Sequence, residues 1–216
     1  MPALIPQLVD MASTPDIKTS DLLRRALVAA SLLGVKELEE WLDSELNGYV
    51  RDGGKVHPYR IINCELMWIN SGQKACSLPV KLATQEIRSL VHSISELEFW
   101  ILERADVHLS LSPELERELK AKSQLPREVR LVQRIPIATI HGVVERVRNL
   151  VLQWALNLLK DGILGENLSF TEQEKQQGQN TNIINITGDV KNSQFLVASP
   201  SGQQQQQQQQ QSSLIN

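Results

Sequence analysis

The sequence predicts a mainly helical α+β domain followed by a low-complexity tail. Apolar residues recur at helical spacing in two neighbouring stretches separated only by Gly34, which indicates a helical hairpin. From Tyr59 the apolar period changes to two, which indicates a small antiparallel β-sheet. A long apolar stripe that ends before Gly162 then predicts a long C-terminal helix.

The predicted hairpin begins at Thr19-Ser20-Asp21, which offers an N-cap and an acidic residue for the positive end of the helix dipole. Its second helix is rich in glutamate and ends at Asn47-Gly48. A shorter apolar segment, residues 3–11, is expected to dock on the body as a helix.

Alternating residues from Ile62 to Trp68 predict a half-buried strand, and residues 74–78 predict its returning partner, which ends at Pro79. Residues 84–104 are predicted as a third helical region, and residues 113–122 as a short, charged, exposed helix. We expect a further strand over residues 128–135.

The composition changes after Gly165, and we divide the chain there. Residues 1–165 are predicted to form the globular domain, 166–180 a polar linker, and 199–216 a disordered tail that contains the glutamine run Gln203 to Gln211. Between them, residues 181–198 hold two β-prone runs around Gly188-Asp189. An isolated two-stranded hairpin is marginal in water, so this segment is expected to need a partner.

Charge and cysteine content narrow the function classes. The net charge of −3 does not favour a general nucleic-acid binder, although a local basic patch stays possible. Cys64 and Cys76 lack clustered partners for a zinc site, so we predict reduced thiols, no metal and no cofactor. No signal peptide or membrane-spanning run is visible, which predicts a cytoplasmic protein.

Two short strings are candidates for a functional loop. Asn47-Gly48-Tyr49 could present a ring and a hydroxyl group, or could be a helix C-cap followed by an anchoring aromatic residue. Tyr59-Arg60 could belong to a phosphate or nucleotide pocket. The alternative is a structural arginine that pairs with the glutamate-rich helix.

The long C-terminal helix carries the weak catalytic candidates. His141, Glu145 and Arg148 share one face at spacings of four and three residues, and a His–Glu pair could transfer protons. A solvated polar face has the same spacing and needs no chemistry. The most basic part of the chain is nearby and could touch RNA or another acidic partner; its members are Arg127, Arg130, Arg134, Arg146, Arg148 and Lys160. Phosphate loops, nucleophile elbows and metal-binding His-Glu-x-x-His helices are not found.

Several of these strings resemble the AbiTii domain of bacterial abortive-infection systems over residues 3–162. The matching pieces are residues 19–27, 36–42, 45–49 (Glu-Leu-Asn-Gly-Tyr), 58–60 and 147–156. The resemblance implies a role in stopping phage propagation, often by disabling the infected cell, and it transfers no catalytic residues. Residues 188–194 are also similar to segments found behind sensor or adaptor domains in bacterial conflict proteins.

The leading hypothesis is therefore a defence protein without an evident active site, acting as a sensor, effector or oligomerising module. Its partner would be another protein or further copies of itself, with Ile184, Ile186, Phe195 and Val197 as the oligomerisation candidates. The alternative is an enzyme-like toxin acting on RNA or a nucleotide.

Overall fold

The computed structural model describes residues 3–49, 55–69, 75–77, 85–123 and 129–180. Within them the chain is mainly helical with a small antiparallel sheet, so the predicted α+β class is confirmed. The helices are α1 (Leu4–Ser13), α2 (Thr19–Leu33), α3 (Lys36–Asn47), α4 (Ile94–Leu102), α5 (Pro113–Ser123), α6 (Ile137–Lys160) and α7 (Glu172–Asn180). The strands are β1 (Ile61–Ile69), β2 (Ala75–Ser77), β3 (Gln85–Ser89), β4 (Val107–Ser110) and β5 (Arg130–Ile135).

The helical hairpin of α2 and α3 is present, with Gly34 between the helices in the left-handed conformation at φ 75°. The start of α2 differs from its prediction. Thr19 is already helical, and Lys18 at the N-cap position makes no side-chain capping bond. The amide of Ser20 instead donates to Oε1 of Glu98 in α4 at 3.1 Å. A carboxylate from a distant helix therefore does the capping that the local sequence was expected to do.

The sheet is built around β1. On one side β1 pairs with β5, and β4 pairs with the far side of β5. On its other side β1 pairs first with β3, through Asn63↔Ile87, and then with β2, through Trp68↔Cys76. The predicted strands at β1, β2 and β5 are confirmed, and the four strand pairings among the described residues are antiparallel.

The helical prediction for residues 84–104 is only half right. Its first part is β3, whose Ile87 is 71% exposed on the outer face of the sheet. The helix α4 starts at Ile94, after a capping box in which Ser93 accepts from the amide of Glu96. Pairing with β1 overrides the helical spacing of the apolar residues in β3. The four-residue β4 was not predicted.

One face of the sheet packs against the helices. The main core combines Ile62, Cys64 and Ile135 of the sheet with buried residues of α1, α2, α3, α4 and α6. A second, smaller cluster contains Leu66, Leu111 and Leu131, and Leu115 and Leu119 of α5 pack against it, although α5 was predicted to be exposed. On this face the buried Gln133 accepts a hydrogen bond from Arg88 of β3.

Residues 166–180, expected to be a polar linker, hold structure that packs on the body. Phe170 is buried, and Glu174 accepts hydrogen bonds from the amides of Leu164 and Gly165. The side chain of Gln179 donates to the carbonyl oxygen of Leu33 at 3.1 Å. The β-prone segment 181–198 and the glutamine-rich tail lie outside the described residues. Over the described ranges, no helix is both long and apolar enough to cross a membrane.

Gly165 provides a test of this packing. Its φ is 69°, and a methyl group there would lie 2.6 Å from ring carbons of Phe170 and 3.2 Å from Cβ of Leu4. We expect Gly165→Ala to lower the free energy of unfolding by about 1–3 kcal/mol, because the substitution adds both backbone strain and overpacking. Urea denaturation of the full chain measures it.

Gly142 in α6 is the matched control, since nothing lies within 4 Å of a methyl group added there. Gly142→Ala should raise the free energy of unfolding by about 0.5–1 kcal/mol, because alanine loses less backbone entropy than glycine in a helix. Equal effects of the two substitutions would contradict the packing described for Gly165.

Candidate functional site

Three of the five functional-loop candidates, Tyr49, Tyr59 and Arg60, belong to one buried polar network. Glu45 of α3 and Arg60, just before β1, form an ion pair in which both side chains are fully buried. Tyr49 and Tyr59 approach the same carboxylate. The pairing of Arg60 with the glutamate-rich helix, one of the two readings of the sequence, is therefore present.

Both oxygen atoms of the Glu45 carboxylate accept hydrogen bonds. Its Oε1 accepts hydrogen bonds from the hydroxyl groups of Tyr49 and Tyr59, each at 2.6 Å, and from Nε of Arg60 at 3.1 Å. Its Oε2 accepts from Nη2 of Arg60. Nε1 of Trp41, one helical turn before Glu45, donates to the hydroxyl oxygen of Tyr59 at 2.8 Å. A buried charge is tolerated only when it is paired and hydrogen-bonded in this way.

Arg60 also holds the segment that precedes α4. Its Nη1 donates to the carbonyl oxygens of Leu90 and His92, both at 2.8 Å. Its guanidinium carbon lies 4.9 Å from the centre of the Tyr49 ring, within cation–π range. The network thus joins the end of α3, the segment leading into β1 and the connection between β3 and α4.

The ionisation of the network favours this structural role. Burial raises the pKa of Tyr49 and of Tyr59 far above the ordinary value, and the charge of Glu45 adds to both shifts. Burial opposes the charge of Arg60, but the neighbouring Glu45 outweighs it and raises the pKa of Arg60. Both phenols therefore remain protonated donors and Arg60 remains a cation at neutral pH.

The other two loop candidates belong to the helix end. Gly48 is the C-cap of α3 at φ 83°, and its amide donates to the carbonyl oxygen of Ser44 at 2.8 Å. A methyl group at Gly48 would lie 2.9 Å from the carbonyl oxygen of Val91. Asn47 is exposed and donates to Asp43 at 2.7 Å.

A second candidate site is an open cleft of about 490 Å³ between the α1–α2 connection, α4 and α6. His141, Glu145 and Arg148, the weak catalytic candidates, all lie along its α6 wall. Phe99 and Leu102 of α4 line the opposite side and are 59% and 70% exposed. The structure therefore brings the predicted triplet together beside an apolar rim.

Arg148 is largely committed to structural contacts within this cleft. Its Nη1 donates to the carbonyl oxygens of Met11, Ala12 and Thr14 at 3.1–3.3 Å, and its Nη2 donates to that of Ile17. These carbonyls lie at and beyond the end of α1, where helical partners run out. Glu145 lies 3.9 Å from Nε of Arg148, and His141 is exposed.

The AbiTii family model matches residues 3–183. The chain belongs to the AbiTii family. No curated protein matches it, and no solved structure does. The family name points to abortive infection, a form of defence against phage. The AbiTii match ends beyond α7, so it includes the segment that packs against α2.

The arginines of the predicted basic region of this AbiTii chain have different surroundings. Arg134 is paired with both Glu65 and Asp106, whereas Arg130 and Arg146 are exposed. Arg127 lies outside the described residues. Within the ranges that the structure describes, no group of three His, Cys, Asp or Glu residues could hold a metal ion.

Sequence reasoning missed Trp41 and Glu45 as members of the network. Trp41, Glu45 and Tyr49 recur every four residues, so the available signal was a glutamate on the apolar face of α3. Glu98 was also missed, because nothing local marks it as the cap of α2.

The buried Arg60–Glu45 ion pair predicts that a single conservative substitution greatly lowers the free energy of unfolding. Glu45→Gln keeps the shape of the side chain but leaves Arg60 as an uncompensated buried cation, so we expect the free energy of unfolding to fall by about 3–5 kcal/mol. Tyr49→Phe removes one hydrogen bond to a charged group and should cost about 1.5–3 kcal/mol. Denaturant unfolding measures both.

Glu40→Gln is the control, because Glu40 is an exposed residue of the same helix and should change the free energy of unfolding by less than about 0.5 kcal/mol. If Glu45→Gln were as mild as this control, the network would not contribute to stability as we describe.

His92 predicts a pH dependence of stability. Burial lowers its pKa below the ordinary 6.5, an effect that Glu96 only partly opposes, and its ring packs edge-on against Trp100. The unfolded chain therefore binds this proton more readily than the folded chain. The contribution of His92 is fully present above pH 6.5 and is lost as the pH falls below it.

We expect the free energy of unfolding to decrease between pH 7.5 and 5.5, above the range in which the carboxylates titrate. His92→Phe keeps an aromatic partner for Trp100 and removes the titration, so the slope should become shallower. An identical slope in this variant would show that other groups cause the dependence.

Proposed function

We propose that this AbiTii protein acts in abortive infection by binding and self-assembly, with its compact body as the sensor or effector part. One observation carries the proposal. The arginines that the sequence offered for phosphate or catalytic chemistry, Arg60 and Arg148, are committed to Glu45 and to backbone carbonyl groups. They are therefore poorly placed to take a substrate, whereas the exposed Phe99 and Leu102 beside the cleft suit binding to another molecule.

The tail supplies the proposed assembly element. Ile184, Ile186, Phe195 and Val197 fall in two β-prone runs, which would pair edge to edge with the same segment of other copies. Support comes from the helix that precedes them, because α7 is held on the body through Glu174 and Gln179. A tail anchored so close to its β-prone runs would transmit assembly to the whole domain.

The test replaces all four apolar residues with serine in the full chain and measures mass by size exclusion with light scattering. The unchanged chain should form an assembly whose mass is a multiple of 24.3 kDa, and the variant should remain at the monomer mass. The same pair of proteins should differ in protection of bacteria against phage, with the variant losing protection.

The matched control places four serines at polar positions of the same segment, replacing Asn185, Thr187, Asn192 and Gln194. It should assemble and protect like the unchanged chain. An assembly that survives the loss of the four apolar residues would overturn the proposal.

The alternative, a toxin acting on RNA or a nucleotide, has one observation in its favour. His141 and Glu145 share a wall of the cleft, where a base and an acid could act together. His141→Ala and Glu145→Ala are informative because both residues are at least partly exposed. Loss of protection in both, with folding and mass unchanged, would favour the enzyme; full protection would exclude these two residues as its catalytic groups.

A further inference from the structure

The solvent face of α2 has apolar residues where a lone surface helix would carry polar ones. Val28 and Leu32 are 43% and 39% exposed, and they lie one turn apart on the same side of the helix. Single exposed apolar residues are common, but a pair at this spacing makes a continuous strip about 6 Å long. We call Val28 and Leu32 the α2 strip.

The chain leaves the described body beside one end of this strip. Gln179 bonds to the carbonyl oxygen of Leu33, and a methyl group at Gly178 would lie 3.0 Å from Cδ2 of Leu33. Asn180 is the last residue of α7, and 36 residues follow it. The continuing chain therefore starts at the C-terminal end of α2, beside Leu33, the residue that follows Leu32.

The residues that follow match the strip in spacing and reach. If residues 183–186 were extended, Ile184 and Ile186 would fall on the same side, with their side chains roughly 6.6–6.8 Å apart. This spacing is close to the 6 Å that separates Val28 from Leu32 along the helix axis. Four extended residues span roughly 13 Å, enough to carry the chain from Asn180 onto the strip.

We propose that residues 183–186 lie extended along the solvent face of α2 in the same molecule, with Ile184 against Leu32 and Ile186 against Val28. The tether favours this occupant, because a segment a few residues from its binding surface has an effective concentration of the order of millimolar. The other exposed apolar pair, Phe99 and Leu102, lies by the N-terminal end of α2, about 20 Å along the helix from the exit point.

This contact goes beyond self-assembly and does not depend on it. A strand whose side chains rest on a helix keeps its backbone N–H and C=O groups free at both edges. The docked segment could therefore still pair with other copies, and docking would present it in a fixed orientation. Docking and assembly are separate events that separate measurements report.

The test uses a full-length double variant, Leu32→Cys with Ile184→Cys. The protein is kept at a concentration at which light scattering shows monomers. Mild oxidation should link residues 32 and 184 within one chain, as identified by the mass of the proteolytic fragments. Leu32→Cys with Asn185→Cys is the matched control, since residue 185 would face away from α2. The first pair should link on the order of tenfold faster, because a disulfide needs facing Cβ atoms and a Cα separation under roughly 7 Å.

Mixing isotope-labelled Leu32→Cys chains with unlabelled Ile184→Cys chains identifies the occupant. Neither chain in this mixture can form the link within itself, so a 32–184 disulfide that forms as fast as in the double variant would mean that a second copy covers the strip. Equal rates for residues 184 and 185 would mean that nothing docks there. Either result overturns the proposal.

A second measurement avoids cysteines. Amide hydrogen exchange at residues 183–186 should speed up in a Val28→Ser, Leu32→Ser variant, whose substitutions are exposed and leave the core intact. Unchanged exchange would contradict docking. If the chain does not assemble but the link between residues 32 and 184 forms, the result contradicts the proposed function and supports the docking of residues 183–186.

Discussion

The fold depends on the buried positive charge of Arg60. Arg60 is fully buried, and only the complete set of partners around it makes that position tolerable. Glu45 balances its charge, and the carbonyl oxygens of Leu90 and His92 accept hydrogen bonds from its Nη1. Because Arg60 and these partners come from three separate parts of the chain, the ion pair fixes how the helical hairpin, the sheet and α4 sit against one another.

Arg148 shows the same use of a guanidinium group on the other side of the core. It binds carbonyl oxygens at the end of α1 and in the connection to α2, so α6 holds that turn in place. An arginine is suited to this work because its rigid, planar group presents five donors at once. In both places an arginine that looked available for chemistry in the sequence organises the backbone instead.

The sequence was informative where structure depends on near neighbours. The ends of α2 and α3, the length of α6 and the alternation in β1 follow from local spacing and from glycine at helix ends. It was misleading at β3, where the apolar spacing suits a helix and the decisive factor is pairing with β1, more than twenty residues away. Residues 166–180 were predicted from composition as a linker, and their contacts with the body come from a few residues, among them Phe170, Glu174 and Gln179.

The buried polar network, too, could be predicted only where it depends on residues that are close in the sequence. The strings around Tyr49 and Tyr59 were noticed as separate candidates, and the alternative for Arg60 was a pair with the acidic helix. Glu45 itself could not be chosen from the five acidic residues of that helix. Which of them points inward is decided by the tertiary packing of α3. The partners of Arg148 could not be predicted either, since they are carbonyl groups, which leave no mark in a sequence.

The division of the inner sheet face into two apolar clusters has a further consequence. The hydrogen bond between Arg88 and Gln133 separates the small cluster under α5 from the main core. Opening α5 would expose Leu66, Leu111, Leu131 and Trp68, which do not belong to the main core. Regions with few buried contacts unfold locally at low free-energy cost. We therefore expect α5 to open at a lower free-energy cost than the helical body that contains the main core, so this flank can unfold locally while the rest of the domain stays folded.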